Sequence, residues 1–259
     1  MNNDIFSVSG KVVLITGGAR GIGAMLSESF IKAGATVIIS SRNSEKCDKY
    51  AEELSLFGSC VSMPADLSSI SNVDALYNQI SKSFNSLDVI INNSGTTWGS
   101  DFEEFPEKGW DKVFSLNMKA PFYLIQKFLP LLEINAKPED PGRVINIGSV
   151  DGIRTSNFSN YSYSALKAGI HHLSGILADL LAHRNITVNC IAPGPFKTDM
   201  MQPMVEKLGL SEIVSTVPLK RLGQADDIGG VAIFLSSKAS AFINGVVLPV
   251  DGGMSISSK

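Results

Sequence analysis

The sequence predicts an α/β fold: one doubly wound domain built on a seven-stranded, mostly parallel sheet with helices on both faces. Three observations carry this. Short runs of Val, Ile and Leu recur along the 259 residues, and each is followed by a longer helical stretch. The runs are continuous instead of alternating apolar with polar, the pattern of strands covered on both faces. Strand and helix alternate throughout, which places parallel strands between two helix layers.

At the amino terminus, Met1–Ser9 is polar and acidic and reads as a tail ahead of a single domain spanning 10–259; it lacks the features of a targeting peptide, so a cytoplasmic location is expected. Strands are predicted at Val12–Thr16, Thr36–Ser41, Cys60–Ala65, Leu87–Ile91, Arg143–Gly148, Ile186–Ile191 and Val246–Val250. Helices fill the gaps at 21–33, 44–57, 69–83, 107–134, 161–183 and 225–237. Ser44, Ser69 and Ser71 stand as N-caps, and Gly34 and Gly58 lie where helices should stop. The stretch 194–218 breaks the alternation. It carries Pro195, Pro203 and Pro218 among Met200, Met201, Met204, Leu208 and Leu210, so it reads as a short helical excursion, either a mobile substrate lid or a surface loop with apolar anchors.

Composition excludes several classes of function. With 44% hydrophobic and 18% charged residues the chain is globular, not disordered. Its 22 Lys and Arg against 25 Asp and Glu leave a formal charge of −3, which disfavours nucleic-acid or anionic-membrane binding by bulk charge. No apolar run is long enough to span a bilayer. Cys47, Cys60 and Cys190 are far apart and form neither CxxC nor a Cys/His cluster, so they read as reduced and structural, with no metal site expected.

The first strand runs into Thr16-Gly17-Gly18-Ala19-Arg20-Gly21-Ile22-Gly23 and then a helix. Amides at a helix N-terminus bind pyrophosphate when side chains stay clear, which glycine ensures. At the end of the second strand an acid would meet a ribose 2′-hydroxyl and a cation a 2′-phosphate. Here the chain reads Ser40-Ser41-Arg42-Asn43, with no acid from Thr36 to Ser44. Arg42, with Arg20 in the glycine turn, therefore points to NADPH/NADP+; the alternative for Arg42 is a solvated surface side chain. Asp66, opening Asp66-Leu67-Ser68 after the third strand, is placed to accept an adenine amino group.

Tyr163 and Lys167 are four apart in a helix and share one face. An ammonium one turn away favours the phenolate and lowers a tyrosine pKa toward the range useful for proton exchange. Ser149, after the fifth strand, supplies a hydroxyl for a carbonyl oxygen. Asn117 lies inside a helix, where asparagine is a poor former and needs a local reason. Each has a plain structural alternative: a chance pair, a loop cap, a buried amide. Tyr161 is a competing phenol, but Ala165 stands where its lysine would be.

Taken together, Gly17-x-x-x-Gly21-x-Gly23, Asn92-Asn93-Ser94-Gly95 and the Asn117, Ser149, Tyr163, Lys167 order resemble the short-chain dehydrogenase/reductase family over about Lys11 to Met254. Ser94 stands where that family usually has alanine. The resemblance implies a Rossmann-like NADP-binding domain in which Tyr163 is the general acid for reduction and Lys167 both tunes it and holds the nicotinamide ribose. Ser149 would orient the carbonyl, and Asn117 would anchor a water-linked proton relay. It assigns cofactor contacts to Gly17, Arg20, Gly21, Ile22, Gly23, Ser41, Arg42, Asp66, Leu67, Asn93, Ser94, Gly95, Tyr163, Lys167 and, in the Pro-Gly turn after strand six, Pro193, Gly194, Phe196 and Thr198. It also implies a homotetramer or homodimer paired through the long helices and the last strands.

The finer likeness of Ser41-Arg42, Ala65-Asp66-Leu67-Ser68, Asn92–Gly99 and Val144–Val150 is to β-ketoacyl reductases of the rhamnolipid type. Trp98, Phe158 and the methionines of 194–218 could host an acyl chain or a bulky ketone. An NADPH-dependent reductase of 3-oxoacyl thioesters is therefore expected first. A broad ketone or sugar/polyol oxidoreductase comes second, and a non-catalytic NADP-sensing regulator third.

Overall fold

The computed structural model describes residues 4–156 and 158–257; the rest of the expected tail and domain ranges (1–3, 157, 258–259) lies outside the described residues. Seven strands, β1 (Val12–Thr16), β2 (Thr36–Ser40), β3 (Cys60–Ser62), β4 (Val89–Asn92), β5 (Gly142–Ile147), β6 (Ile186–Pro193) and β7 (Val247–Val250), form one sheet in the order β3-β2-β1-β4-β5-β6-β7. Every pairing is parallel, so the sheet is wholly, not mostly, parallel. β3 is shorter than the expected Cys60–Ala65, although the chain stays alongside β2 beyond it: Met63 donates to the Ile39 carbonyl and Ala65 to the Ser41 carbonyl.

Each apolar run serves two cores at once. In β1, Val13 and Ile15 face one layer and Leu14 the other; β2 and β4 repeat the pattern. The first layer comprises α1 (Gly21–Lys32), α2 (Ser44–Ser55) and α9 (Ala225–Ser236), which contribute Phe30, Leu54 and Leu235. The second comprises α3 (Ile70–Ser83), α5 (Ala120–Glu133) and α6 (Tyr161–Leu181), with Leu76, Phe128 and Leu177.

Four expectations change. The helix expected over 107–134 is two helices, α4 (Glu107–Phe114) and α5, joined by a π-helical turn at Ser115–Lys119. α2 is capped by Asn43, whose Oδ1 accepts the Lys46 N–H at 2.8 Å, because Ser44 is already its first helical residue. Ser69 precedes α3 but spends its hydroxyl on Ser71, 2.7 Å away. The tail is docked: Val8 is buried in the first core and Ile5 accepts a hydrogen bond from Ala239, so the packed body begins ahead of residue 10. The excursion at 194–218 contains α7 (Gln202–Leu208) and α8 (Leu210–Ser215), hinged at Gly209 with φ +82°. No helix of the described residues is long and apolar enough to cross a membrane.

Candidate active site

From β1 the chain steps outward to β2 and β3, then crosses back from β3 to β4 on the other side of β1, and this switch point opens a crevice at the carboxyl edge of the sheet. The glycine turn lies there. Gly17 (φ +67°) donates to the Ser40 carbonyl at 2.6 Å, and Gly21 (φ +52°) opens α1. A Cβ on Gly23 would stand 2.1 Å from the Gly17 carbonyl oxygen, so the turn folds tightly enough on itself to exclude a side chain. α1 has no side-chain N-cap bond and no acid in its first turn, leaving its leading amides for an anion.

Arg20 and Arg42 are exposed, and neither side chain makes a hydrogen bond or ion pair among the described residues. They leave the ends of neighbouring strands, where Thr16 pairs with Ser40. The Ser41 carbonyl accepts the Ala65 N–H at 3.2 Å and so draws the Asp66 loop alongside. Asp66 Oδ1 caps the Ser68 amide at 3.1 Å. Leu67 and Phe196 bury their side chains in the cores, which leaves their backbones for a cofactor, while Ile22 packs on the first core with its side chain partly exposed.

Beyond β4, Asn93 Nδ2 donates to the Thr16 carbonyl at 2.9 Å, and the buried Thr16 hydroxyl accepts both the Asn93 and the Ser94 amides at 3.0 Å. Sequence reasoning missed this threonine, which ties the glycine turn to Asn93–Gly95. Thr198 completes the rim: its Cγ2 lies 3.2 Å from where a Cβ on Gly21 would stand. Gly194 packs on Asp251 and donates to the Val250 carbonyl at 3.0 Å, so the Pro193-Gly194 turn is held against the end of β7.

Asn117 sits within the π turn, buried, and both ends of its amide are engaged by Thr96: Oδ1 accepts the Thr96 N–H and Nδ2 donates to the Thr96 carbonyl, each at 2.9 Å. Its side chain therefore clamps the β4 loop. Ser149 follows β5 with its Oγ accepting the Asp151 N–H at 3.1 Å. Lys167 is buried; its Nζ donates to the Ile147 carbonyl at 2.6 Å and lies 5.5 Å from the Tyr163 ring centre. Burial pushes Lys167 down to about 8 and Tyr163 up to about 12, with a hydrogen bond from Ser149 opposing the latter. Contrary to the expected lowering, Lys167 is thus not among the groups that shift the tyrosine in this structure: desolvation dominates, Ser149 opposes it, and the Asp151 charge adds to it.

Tyr161 points elsewhere, edge-on to Phe102 and Phe105 with ring centres 5.8 and 5.5 Å away. Trp98 is packed on α4, where Gly109 leaves room for the indole and Lys108 and Lys112 reach over it. Of the methionines, Met201 is buried and Met200 exposed.

A family model described as enoyl-(acyl carrier protein) reductase matches residues 17–255. A Pseudomonas aeruginosa protein named rhamnolipids biosynthesis 3-oxoacyl-acyl-carrier-protein reductase is 41% identical over 96% of this chain and 97% of its own length. The chain belongs to the short-chain dehydrogenase/reductase family. Another relative in that family, 5-keto-D-gluconate 5-reductase of Escherichia coli, is 37% identical over 97% of this chain and 98% of its own. Among solved short-chain dehydrogenase/reductases, the Pseudomonas aeruginosa RhlG/NADP active-site complex superposes with a TM-score of 0.94, 40% identity and coverage of 97% and 98% of the two chains. A gluconate 5-dehydrogenase from Burkholderia cenocepacia, in complex with NADP and tartrate, superposes with a TM-score of 0.91 at 29% identity and 98% coverage of both.

Beneath the site lie further polar groups. Asn92 donates to Asn146, and Asn146 to Ser174, at 2.8 and 2.9 Å, tying β4, β5 and α6 together. His171 lies behind Ser149.

Proposed function

We propose that this chain is an NADPH-dependent reductase that converts a ketone carbonyl to a secondary alcohol, with 3-oxoacyl thioesters as its substrate class. The observation that carries the reading is the placement of Ser149, Tyr163 and Lys167 at the same sheet edge as a glycine turn flanked by two unpaired arginines. The turn fits a dinucleotide: its glycines leave no room for side chains, its helix amides are uncapped, and Arg20 and Arg42 suit a 2′-phosphate. Gly17, Gly21 and Gly23 would hold the pyrophosphate, Asp66 the adenine, and Asn93–Gly95, Pro193-Gly194 and Thr198 the nicotinamide end.

Bound NADPH supplies the hydride. Ser149 and Tyr163 hold the substrate oxygen, and Tyr163, protonated at neutral pH, gives up its phenolic proton to that oxygen. Lys167 has three donors, of which Ile147 takes one, leaving the others for a ribose hydroxyl. Asn117 acts by fixing the Thr96 backbone beside the reacting groups.

Identity to the rhamnolipid reductase and the apolar residues of 194–218 favour acyl chains. The likeness to keto-gluconate enzymes, and the half-buried Asp151 carboxylate near Tyr163, favour a hydroxyl-rich ketone as the second reading. Loss of NADPH absorbance with acetoacetyl, 3-oxooctanoyl and 3-oxodecanoyl thioesters, beside a panel of keto-sugars, separates them. Each buried methylene is worth about 0.8 kcal/mol, so kcat/KM should climb severalfold per carbon. A flat profile with faster keto-sugar turnover selects the second reading, and no turnover of any ketone defeats both. With the activity we propose a cytoplasmic homotetramer, supported by exposed Trp110 and Phe114 on α4 and Ile176 and Leu180 on α6; light scattering of the purified chain tests the assembly.

A further inference from the structure

Tyr163, Lys167 and His171 follow one another along α6 at four-residue intervals and so share a face. The proposed chemistry uses the first two. The imidazole of His171 faces the turn Gly148–Gly152, which carries Ser149: its Nε2 accepts the Ser149 N–H at 3.4 Å. The ring also makes a hydrogen bond to the Gly152 backbone of the kind that favours its protonated form, which makes the carbonyl the acceptor. With Nε2 accepting, the N–H resides on Nδ1. The fit is close. A Cβ on Gly148 would stand 2.1 Å from Nε2, so the ring presses on that glycine; one on Gly152 would meet the α6 backbone at Lys167 at 2.6 Å and the ring Cε1 at 2.7 Å, so the turn lies close on the helix and the imidazole together. The turn closes around it through Gly152 N–H to the Ser149 carbonyl at 3.0 Å. Lys167 on the same face and the Cys190 thiol, 2.9 Å from the same Gly148 Cβ position, are the titratable groups beside it.

We propose that His171 is a positioning residue that clamps the Gly148–Gly152 turn from behind as a neutral Nδ1–H imidazole and thereby fixes the Ser149 hydroxyl toward the substrate carbonyl. It rests on the reading of Ser149 as the carbonyl-orienting donor. Burial and the Lys167 charge push the imidazole down to about 4, so the ring stays neutral over the working range.

The test is a double-mutant cycle with NADPH and 3-oxooctanoyl-coenzyme A, or with whichever ketone the panel selects. His171→Leu should lower kcat/KM by about 10- to 100-fold, the scale of a misplaced catalytic group, while the NADPH dissociation constant stays within about twofold. His171→Gln, which can accept and donate as imidazole does, should recover most of the loss. In a Ser149→Ala background the further change to His171→Leu should cost less than about threefold, because there is no hydroxyl left to position. Additive losses overturn the proposal alone. An unimpaired Ser149→Ala overturns the role of Ser149 and the proposal with it. Should the leucine variant fail to fold, 15N spectra of histidine-labelled wild-type protein decide: an unprotonated Nε2 with a protonated Nδ1 through neutral pH supports the clamp, and the opposite tautomer or titration near neutral pH refutes it.

Discussion

Replacing Thr16 by valine keeps the shape of a residue that is 1% exposed at the carboxyl end of β1 and removes only its hydroxyl. That oxygen accepts two amides, from Asn93 and Ser94, and donates weakly to the Ile91 carbonyl at 3.4 Å. The two losses are unequal. The Asn93 N–H keeps a second acceptor, the Ile91 carbonyl at 3.1 Å, whereas the Ser94 N–H has no other partner among the described residues. An orphaned amide costs about 1 to 3 kcal/mol, and both residues are half-buried, so a total near 2 kcal/mol is expected. Amide exchange reads this directly: Ser94 should exchange about 10- to 100-fold faster and Asn93 by less. The melting temperature should fall by about 4 to 8 °C, and NADPH should bind more weakly as the two loops part. Thr16→Ser should behave as wild type. Unchanged Ser94 exchange with an unchanged melting temperature would show that the hydroxyl does not hold the loops together.

Three further expectations concern the site. Tyr163→Phe keeps the ring but removes the proton donor, and kcat should fall at least about 100-fold with NADPH binding retained, as judged by cofactor fluorescence. Arg42→Asp replaces a phosphate partner with a repelling charge and should shift the ratio of kcat/KM for NADPH over NADH by about 30- to 1000-fold toward NADH; a wild type already preferring NADH would refute the assignment. Lys167 is lowered by burial from 10.5 to about 8, so between those values the unfolded chain binds more protons and stability rises with pH. Tyr163 and the cysteines, raised by burial, act oppositely but remain in Lys167→Met, whose melting temperature should exceed that of wild type most at pH 7 and least near pH 10.

The strands were legible because a parallel sheet between two layers demands runs rich in Val and Ile, and Val12–Thr16 and Thr36–Ser40 supply them. The glycine turn and the Tyr163–Lys167 pair were legible through spacing alone. Other features depend on partners distant in sequence. Val8 shares its stretch with the apolar Ile5 and Phe6, which stay exposed, and only the core it enters shows which of the three is buried. Leu67 and Phe196 belong to cofactor-like motifs by position, while their side chains serve packing. Trp98 settles on α4 because Gly109 leaves a hollow there, which no local pattern records. His171 did carry a signal, since it repeats past Lys167 the four-residue step that singled out the lysine.

The π turn at Ser115–Lys119 has a consequence for how this stretch of chain can vary. Every residue added to or removed from a helix rotates the downstream helix by about 100°. The wide turn therefore sets the angle between Val113 on α4 and the stripe Leu124, Phe128 and Leu131 on α5, while presenting Asn117 to Thr96. The clamp and the core are geared to each other. Restoring ordinary helical winding by deleting one residue would swing either the asparagine off the loop or Phe128 out of the second layer. Between Phe114 and Ala120 the chain thus has latitude in composition and almost none in length.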